Sequence, residues 1–171
     1  MMRHDPLRDV EPLIERVYAY VAYRVPTRAD AEDVTNDAFE RALRYRNSYD
    51  PARGDPVAWL IGIARRCIDD WLRTHRVHLA YADYDGSADA TTPAIERVTI
   101  AQSLATLEPR DRELIALRYG GDLSTKQIAA LMEMQPGAVD VALHRARARL
   151  KDALSEKTLP PRSRAADELA R

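Results

Sequence analysis

The chain has 171 residues, enough for one ordinary domain or two small ones, and its 46% hydrophobic and 31% charged residues exclude an intrinsically disordered chain. No apolar run reaches the ~20 residues of a membrane span, the charged start "MMRHDPLRDVEP" lacks the apolar stretch of a secretory signal, and the single cysteine, Cys67, excludes an intrachain disulfide. A cytoplasmic protein with no membrane insertion is expected, and the formal net charge of −1 weighs against nucleic-acid binding only if charge is spread evenly.

The first helix is expected from about Asp9 to Arg24, with Val10, Leu13, Ile14, Val17, Tyr18 and Val21 on one apolar stripe. "VPTRAD" breaks the pattern. A second helix starts at Asp30, read as its N-cap, with Glu32 and Asp33 favoured near the positive end of the helix dipole. Its inner face is expected to carry Ala31, Val34, Ala38, Ala42 and Tyr45, leaving Asp33, Asn36, Asp37 and Glu40 outside. "NSYDPARGDP" is rich in turn residues and reads as a loop.

The third helix runs from about Pro56 to Arg76. Leu60, Ile63, Ala64, Cys67 and Trp71 point inward; Gly62, Arg65, Arg66, Asp69, Arg73 and Arg76 are expected on or beside the outer face. "HLAYADYDGSADATT" has no period, and residues 79–96 hold Asp83, Asp85, Asp89 and Glu96 but no Lys or Arg. It reads as an acidic linker. Thr92-Pro93 is a cap followed by proline at a helix start.

Two more helices follow, Ile95 to Leu107 and Pro109 to Tyr119. "GGD" is a turn, and Ser124 caps "TKQIAALMEM". After "QPG" comes "GAVDVALHRARARLKDAL", in which Val139, Leu143, Ala146 and Leu150 share a face and Val141 and Ala148 point away. Arg145, Arg147, Arg149 and Lys151 make it basic, against Asp140 and Asp152. Taken alone, this is a solvated amphipathic helix with cations suited to its C-terminal end. With the short capped helix and turn before it, the pattern is a helix-turn-helix.

The third helix mixes aromatic and basic residues, and the loop before it adds Arg46, Asn47, Tyr49 and Arg53. Single strands are bound by such combinations, through charge along the backbone and stacking on aromatic faces. The duller reading makes Trp59 and Trp71 core residues, and for Trp71 it is the one adopted. His75 and His78 lack matching ligands for a metal, Cys67 faces inward and reads as an inert thiol, and no phosphate-cradling glycine loop is present. No enzyme site, metal or cofactor is expected.

"DAEDVTNDAFERALRY", "AWLIGIARRCIDDWLRTHR", "LEPRDRELIALRYGGDLSTKQIAALM" and "GAVDVALHRARARL" together resemble the sigma factors of bacterial RNA polymerase, within the sigma-70 family, and specifically the short extracytoplasmic-function group. The resemblance covers about Val10 to Leu154. It implies an all-α fold of two small helical domains: 1–78 (region 2-like), a linker at 79–92, and 93–154 (region 4-like helix-turn-helix), with a flexible tail at 155–171.

The same resemblance implies roles. Asp33, Asn36, Asp37 and Glu40 would bind the clamp helices of the polymerase largest subunit. Arg46, Asn47, Tyr49, Arg53, Arg65, Arg66, Asp70 and Arg73 would read and melt the −10 promoter element, first as duplex and then as single strand. Ser124, Thr125, Lys126, Gly137, Ala138, Asp140, Val141, His144, Arg145 and Arg147 would bind the −35 element as duplex DNA. An anti-sigma factor is an implied partner, and a monomer is expected when free.

Three departures from the pattern matter. Asp140 and Ala142 stand where many relatives carry basic residues, which weakens phosphate binding. Glu133 stands where the turn often has glycine. Asp140 either accepts from a cytosine amine or pairs with His144 or Arg147 on the helix surface. Two other functions remain beside the main one: a stand-alone helix-turn-helix regulator, and a sigma-like decoy that binds polymerase without reading promoters.

Overall fold

The computed structural model describes residues 5–75 and 94–158, and among them there is no strand. The helices are α1 (Val10–Ala22), α2 (Arg28–Tyr45), α3 (Pro56–His75), α4 (Ala94–Thr106), α5 (Pro109–Ile115), α6 (Thr125–Met132) and α7 (Pro136–Thr158). Two short 3-10 turns, Arg46–Ser48 and Pro51–Arg53, join α2 to α3. The acidic linker 79–92, with its Thr92-Pro93 start, lies outside the described residues, as do Arg76, His78 and the tail beyond Thr158. The helical pattern of α7 continues four residues into the segment expected to be tail.

The cap of α2 is Thr27 rather than Asp30. The Thr27 hydroxyl accepts from the Asp30 backbone N–H at 3.1 Å and donates to the Asp30 carboxylate at 2.6 Å. The helix therefore begins within "VPTRAD", because a β-region Thr satisfies the exposed amide as well as an aspartate does. At α6, Ser124 and Gln127 form a reciprocal capping box.

α1, α2 and α3 pack together around Leu13, Val17, Tyr20, Val21, Ala31, Val34, Ala38, Leu60, Ala64 and Cys67. Several positions differ from the periodic reading. Val10 and Ile14 are exposed, while Tyr20 is fully buried. Tyr45, the last residue of α2, is 59% exposed. Ile61 and Ile68 on α3 are fully buried as well, a second inward face the sequence pattern does not show.

At Ile61 that second face meets the late half of the chain, where a Cβ on Gly121 would come within 2.5 Å of the Ile61 side chain. Leu114, Ala116, Leu117, Leu123, Ile128, Val139 and Leu143 join the same apolar cluster as the first three helices. The two halves therefore share one core. α5 runs on into a π-helical turn, Ala116–Gly120, closed by the Gly121 N–H to the Ala116 carbonyl at 2.9 Å. This turn lies against α1 so closely that a Cβ on Gly120 would sit 2.8 Å from the backbone N and Cα of Tyr20. Only glycine allows that approach. A second, smaller cluster of Leu104, Leu107, Ile115 and Ala146 ties α4 to α5 and α7.

Candidate nucleic-acid and polymerase interface

The outer face of α2 carries the expected polymerase-binding set. Asp33, Asn36 and Glu40 are exposed and Asp37 is half-exposed. Two of the four are already engaged along their own helix: Asp37 pairs with Arg41 at 2.9 Å and Glu40 with Arg44. Such exposed pairs contribute little to stability and leave a face of mixed charge.

Behind that face, Arg41 bridges from α2 to α3, donating to Asp70 at 2.8 Å, and Asp70 also pairs with Arg73. The Arg41 hydrogen bond, aided by Arg73, holds the Asp70 carboxyl below its usual value. Asp70 and Arg73, expected on the −10 surface, are thus bound to each other and to α2. Beneath them, burial followed by the nearby Asp37 charge pushes the Cys67 thiol up to about 12. Cys67 is 2% exposed, which fits the inert reading. Trp71 packs on the core, and the His75 ring stacks on it with centroids 4.4 Å apart.

The loop between α2 and α3 is ordered by its own polar groups. Asp50 caps the second 3-10 turn by accepting from the Ala52 N–H at 3.0 Å, and Asp55 accepts from the Ala58 N–H at 2.8 Å. The Tyr49 hydroxyl donates to the Gly54 carbonyl at 3.0 Å, and its ring meets the edge of Trp59 at 5.5 Å. Arg46, Asn47 and Arg53 lie exposed on this loop, and Arg66 is exposed on α3. Tyr49, Arg53, Trp59 and Arg66 line a cleft of about 1190 Å³. Trp59, for which the core and the base-stacking readings both stand, is half-buried at the edge of this cleft, packed on the core and lining the cleft with the arginines. The aromatic-beside-basic pattern in "AWLIGIARR" was the signal for it.

Arg65 departs most from expectation. It was expected exposed for phosphate contact, but it is half-buried and donates to Glu113 of α5 at 2.5 Å and to the Leu131 carbonyl of α6 at 2.7 Å. Burial alone would lower its pKa; the Glu113 hydrogen bond and charge outweigh this and raise it. The helix periodicity placed Arg65 beside an outer face that the late half of the chain covers.

α6, the turn and α7 form the helix-turn-helix. Glu133 ends α6 in the left-handed region, φ 54°, ψ 44°, the conformation in which glycine is favoured. Val139, Leu143 and Ala146 are buried, anchoring α7. Opposite them Gly137, Ala138, Asp140, Val141, His144, Arg145 and Arg147 are exposed, together with Ser124 and Lys126 from the start of α6. Asp140 accepts from the Thr125 hydroxyl at 3.0 Å, a partner across the helix pair and neither of the two weighed from sequence. Arg149 is different in kind: it pairs with Asp111 of α5, which is 7% exposed. Sequence reasoning also missed Gln127, whose side chain donates to Asp55 at 2.7 Å across the cleft.

Among the described residues there is no cluster of three or more potential metal ligands, and no helix is long and apolar enough to cross a membrane. The family model for Sigma-70 region 2 matches residues 10–77 and that for Sigma-70, region 4 matches residues 97–150. The chain is 31% identical to the RNA polymerase sigma factor CarQ of Myxococcus xanthus, over 84% of this chain and 86% of that one. It is 32% identical to the ECF RNA polymerase sigma factor SigL of Mycobacterium tuberculosis, over 75% and 76%. It is 28% identical to the ECF RNA polymerase sigma factor BldN of Streptomyces coelicolor, spanning 77% of this chain but only 53% of that longer protein. In fold it is similar to the sigma factor RpoE in complex with the anti-sigma factor NepR from Bartonella quintana, with a TM-score of 0.73, 20% identity and coverage of 86% and 95%. CnrH, solved with the cytosolic domain of CnrY, gives a TM-score of 0.60 at 27% identity, with coverage of 86% and 84%.

Proposed function

Because the chain belongs to the sigma-70 family of RNA polymerase sigma factors, in its extracytoplasmic-function group, we propose that it binds core polymerase and directs it to chosen promoters. The observation that carries this reading is the exposed, basic-flanked surface of α7, set on a buried apolar face and preceded by a capped α6. That is the geometry by which a helix enters a major groove while its partner helix crosses the backbone.

The division of labour follows from the chemistry of each surface. The mixed acidic and polar face of α2, around Asp33 and Asn36, suits a charged helix pair on the polymerase. Tyr49 and Trp59 offer aromatic faces for unpaired bases, and Arg46, Arg53 and Arg66 supply charge for the single-strand backbone. Arg145, Arg147 and His144 suit duplex phosphates, and Val141, 52% exposed, suits a thymine methyl. Each surface alone binds weakly; held on one polymerase, their affinities combine through effective concentration. The chain needs no catalytic residue, metal or cofactor for this role, and works where the polymerase is, in the cytoplasm. An anti-sigma factor is a further partner, in keeping with the protein partner bound to CnrH.

The test is direct binding. Labelled chain titrated with core polymerase should bind tightly, and a double Asp33→Lys, Asn36→Lys variant should lose at least tenfold in affinity. If the chain binds isolated duplex DNA tightly and ignores polymerase, it is a stand-alone regulator and this reading is wrong.

A further inference from the structure

Asp140 puts a carboxylate on the surface of α7 that suits DNA, and a neighbouring helix holds it in place. It is the fifth residue of α7 and exposed. The early residues of such a helix are the ones that reach base edges. Its Oδ1 accepts from the Thr125 hydroxyl at 3.0 Å, and Thr125 is its only side-chain partner among the described residues. Thr125 is the first residue of α6 and is half-buried. A threonine hydroxyl has one proton to donate, and here it goes to Asp140. Thr125 therefore has none left for a DNA phosphate, the role that its place at the front of α6 suggests.

The second oxygen, Oδ2, has no donor among the described residues. In a major groove a carboxylate meets mostly acceptors: N7 and O6 of guanine, N7 of adenine, O4 of thymine. These repel it. The N4 amine of cytosine is the one donor that no acceptor of the same base accompanies. A carboxylate here discriminates twice, by accepting from cytosine and by standing as an unpaired charge against the other bases. That discrimination needs a fixed side chain. A free aspartate swings from a wrong base into solvent, whereas the bond to Thr125 holds one rotamer and leaves only Oδ2 to face the groove. Arg145 and Arg147, exposed on the same helix, supply the phosphate attraction that the Asp140 charge opposes.

We propose that Thr125 is a positioning residue for promoter choice: it holds Asp140 so that the free carboxylate oxygen accepts from a cytosine N4 amine, and the −35 element selected by this chain carries a cytosine at that place. The inference rests on the promoter-directing reading above. Two residues from different helices form one base-reading unit. Thr125 touches no base, and Asp140 without it keeps its charge but loses its aim.

The experiment uses core polymerase with the full chain and a promoter set that carries each of the four bases at every −35 position, with transcript yield as the readout. Wild type should favour cytosine at one position by about 5–150-fold. Asp140→Asn keeps the shape but presents an amide, which pairs with adenine N6 and N7, so the preference there should move from cytosine to adenine. Thr125→Val keeps the shape without the donor and should reduce the cytosine preference by about 2–10-fold, the effect of one side chain no longer immobilised. Every other position should keep its ranking. Thr125→Ser restores the donor and should restore the preference. A loss of stability lowers all yields together without reordering bases, so the ranking separates positioning from a structural role, and thermal unfolding checks that each variant is folded. The proposal is overturned if no −35 position favours cytosine, if Thr125→Val leaves the preference as sharp as in wild type, or if Asp140→Asn keeps cytosine first. If wild type starts transcription from no promoter, the promoter-directing reading falls and this one with it. Chain-dependent starts whose −35 ranking ignores Thr125 sink this one alone.

Discussion

Replacing Glu133 by glycine should make the protein more stable. The residue ends α6 at φ 54°, ψ 44° and is exposed. A left-handed conformation costs a residue with a Cβ about 1–2 kcal/mol, which glycine avoids. Against this, glycine loses more conformational freedom on folding, about 0.5–1 kcal/mol. The net gain is about 0.5–1 kcal/mol, or roughly 1–4 °C in melting temperature for a chain of this size. Glu133→Ala keeps the Cβ and so should gain nothing. Thermal and urea unfolding of the three proteins side by side measure both numbers. A glycine variant no more stable than wild type, or an alanine variant that gains as much, would refute the backbone argument. Promoter selectivity should be unchanged in either variant, because the left-handed turn is already in place.

Further outcomes follow from other contacts. Arg149→Ala strands the buried Asp111 carboxylate and should lower stability by about 1–2 kcal/mol, while the salt dependence of DNA binding stays the same; a flatter salt slope would mean that Arg149 touches phosphate. Asp140→Ala should change the ranking of −35 variants at one position by a factor of about 5–150, the range of a specific base contact; an unchanged ranking would leave Asp140 with only its structural bond to Thr125. Asp70 is held below its usual pKa by Arg41 and then Arg73. Its contribution to stability is therefore present above the unfolded carboxylate pKa and is lost as pH falls through the lowered folded value. The stability gap between wild type and Asp70→Asn should thus be constant near neutral pH and close only in strong acid; a gap that closes between pH 6 and 8 would contradict this.

The helices themselves were legible because each is amphipathic and well punctuated. The Ser124 cap, the buried Val139, Leu143 and Ala146 face, and the turn before α7 all follow from local rules. What was not legible is the seam. Periodicity shows that a helix has a buried face, but not that a second element covers another. So Ile61, Ile68 and Tyr20 looked less buried than they are, and Arg65 looked free. Gly120 and Gly121 read as a turn, yet the close approach of Gly120 to Tyr20 is what lets the halves meet. The partner of Asp140 was missed for a related reason. Helical spacing pairs Asp140 only with neighbours along α7, whereas Thr125 comes from α6, fifteen residues away.

As a sigma factor, this chain gives core polymerase its choice of promoter. The direct measurement is transcription from a randomised promoter library by core polymerase, with and without the purified chain, read by sequencing transcript starts. A set of starts should appear only with the chain, carrying two shared sequence elements upstream. Its −35 preference should change when α7 surface residues such as Val141 and Arg145 are replaced, and its −10 preference when Arg66 is replaced. Absence of any chain-dependent start would contradict it.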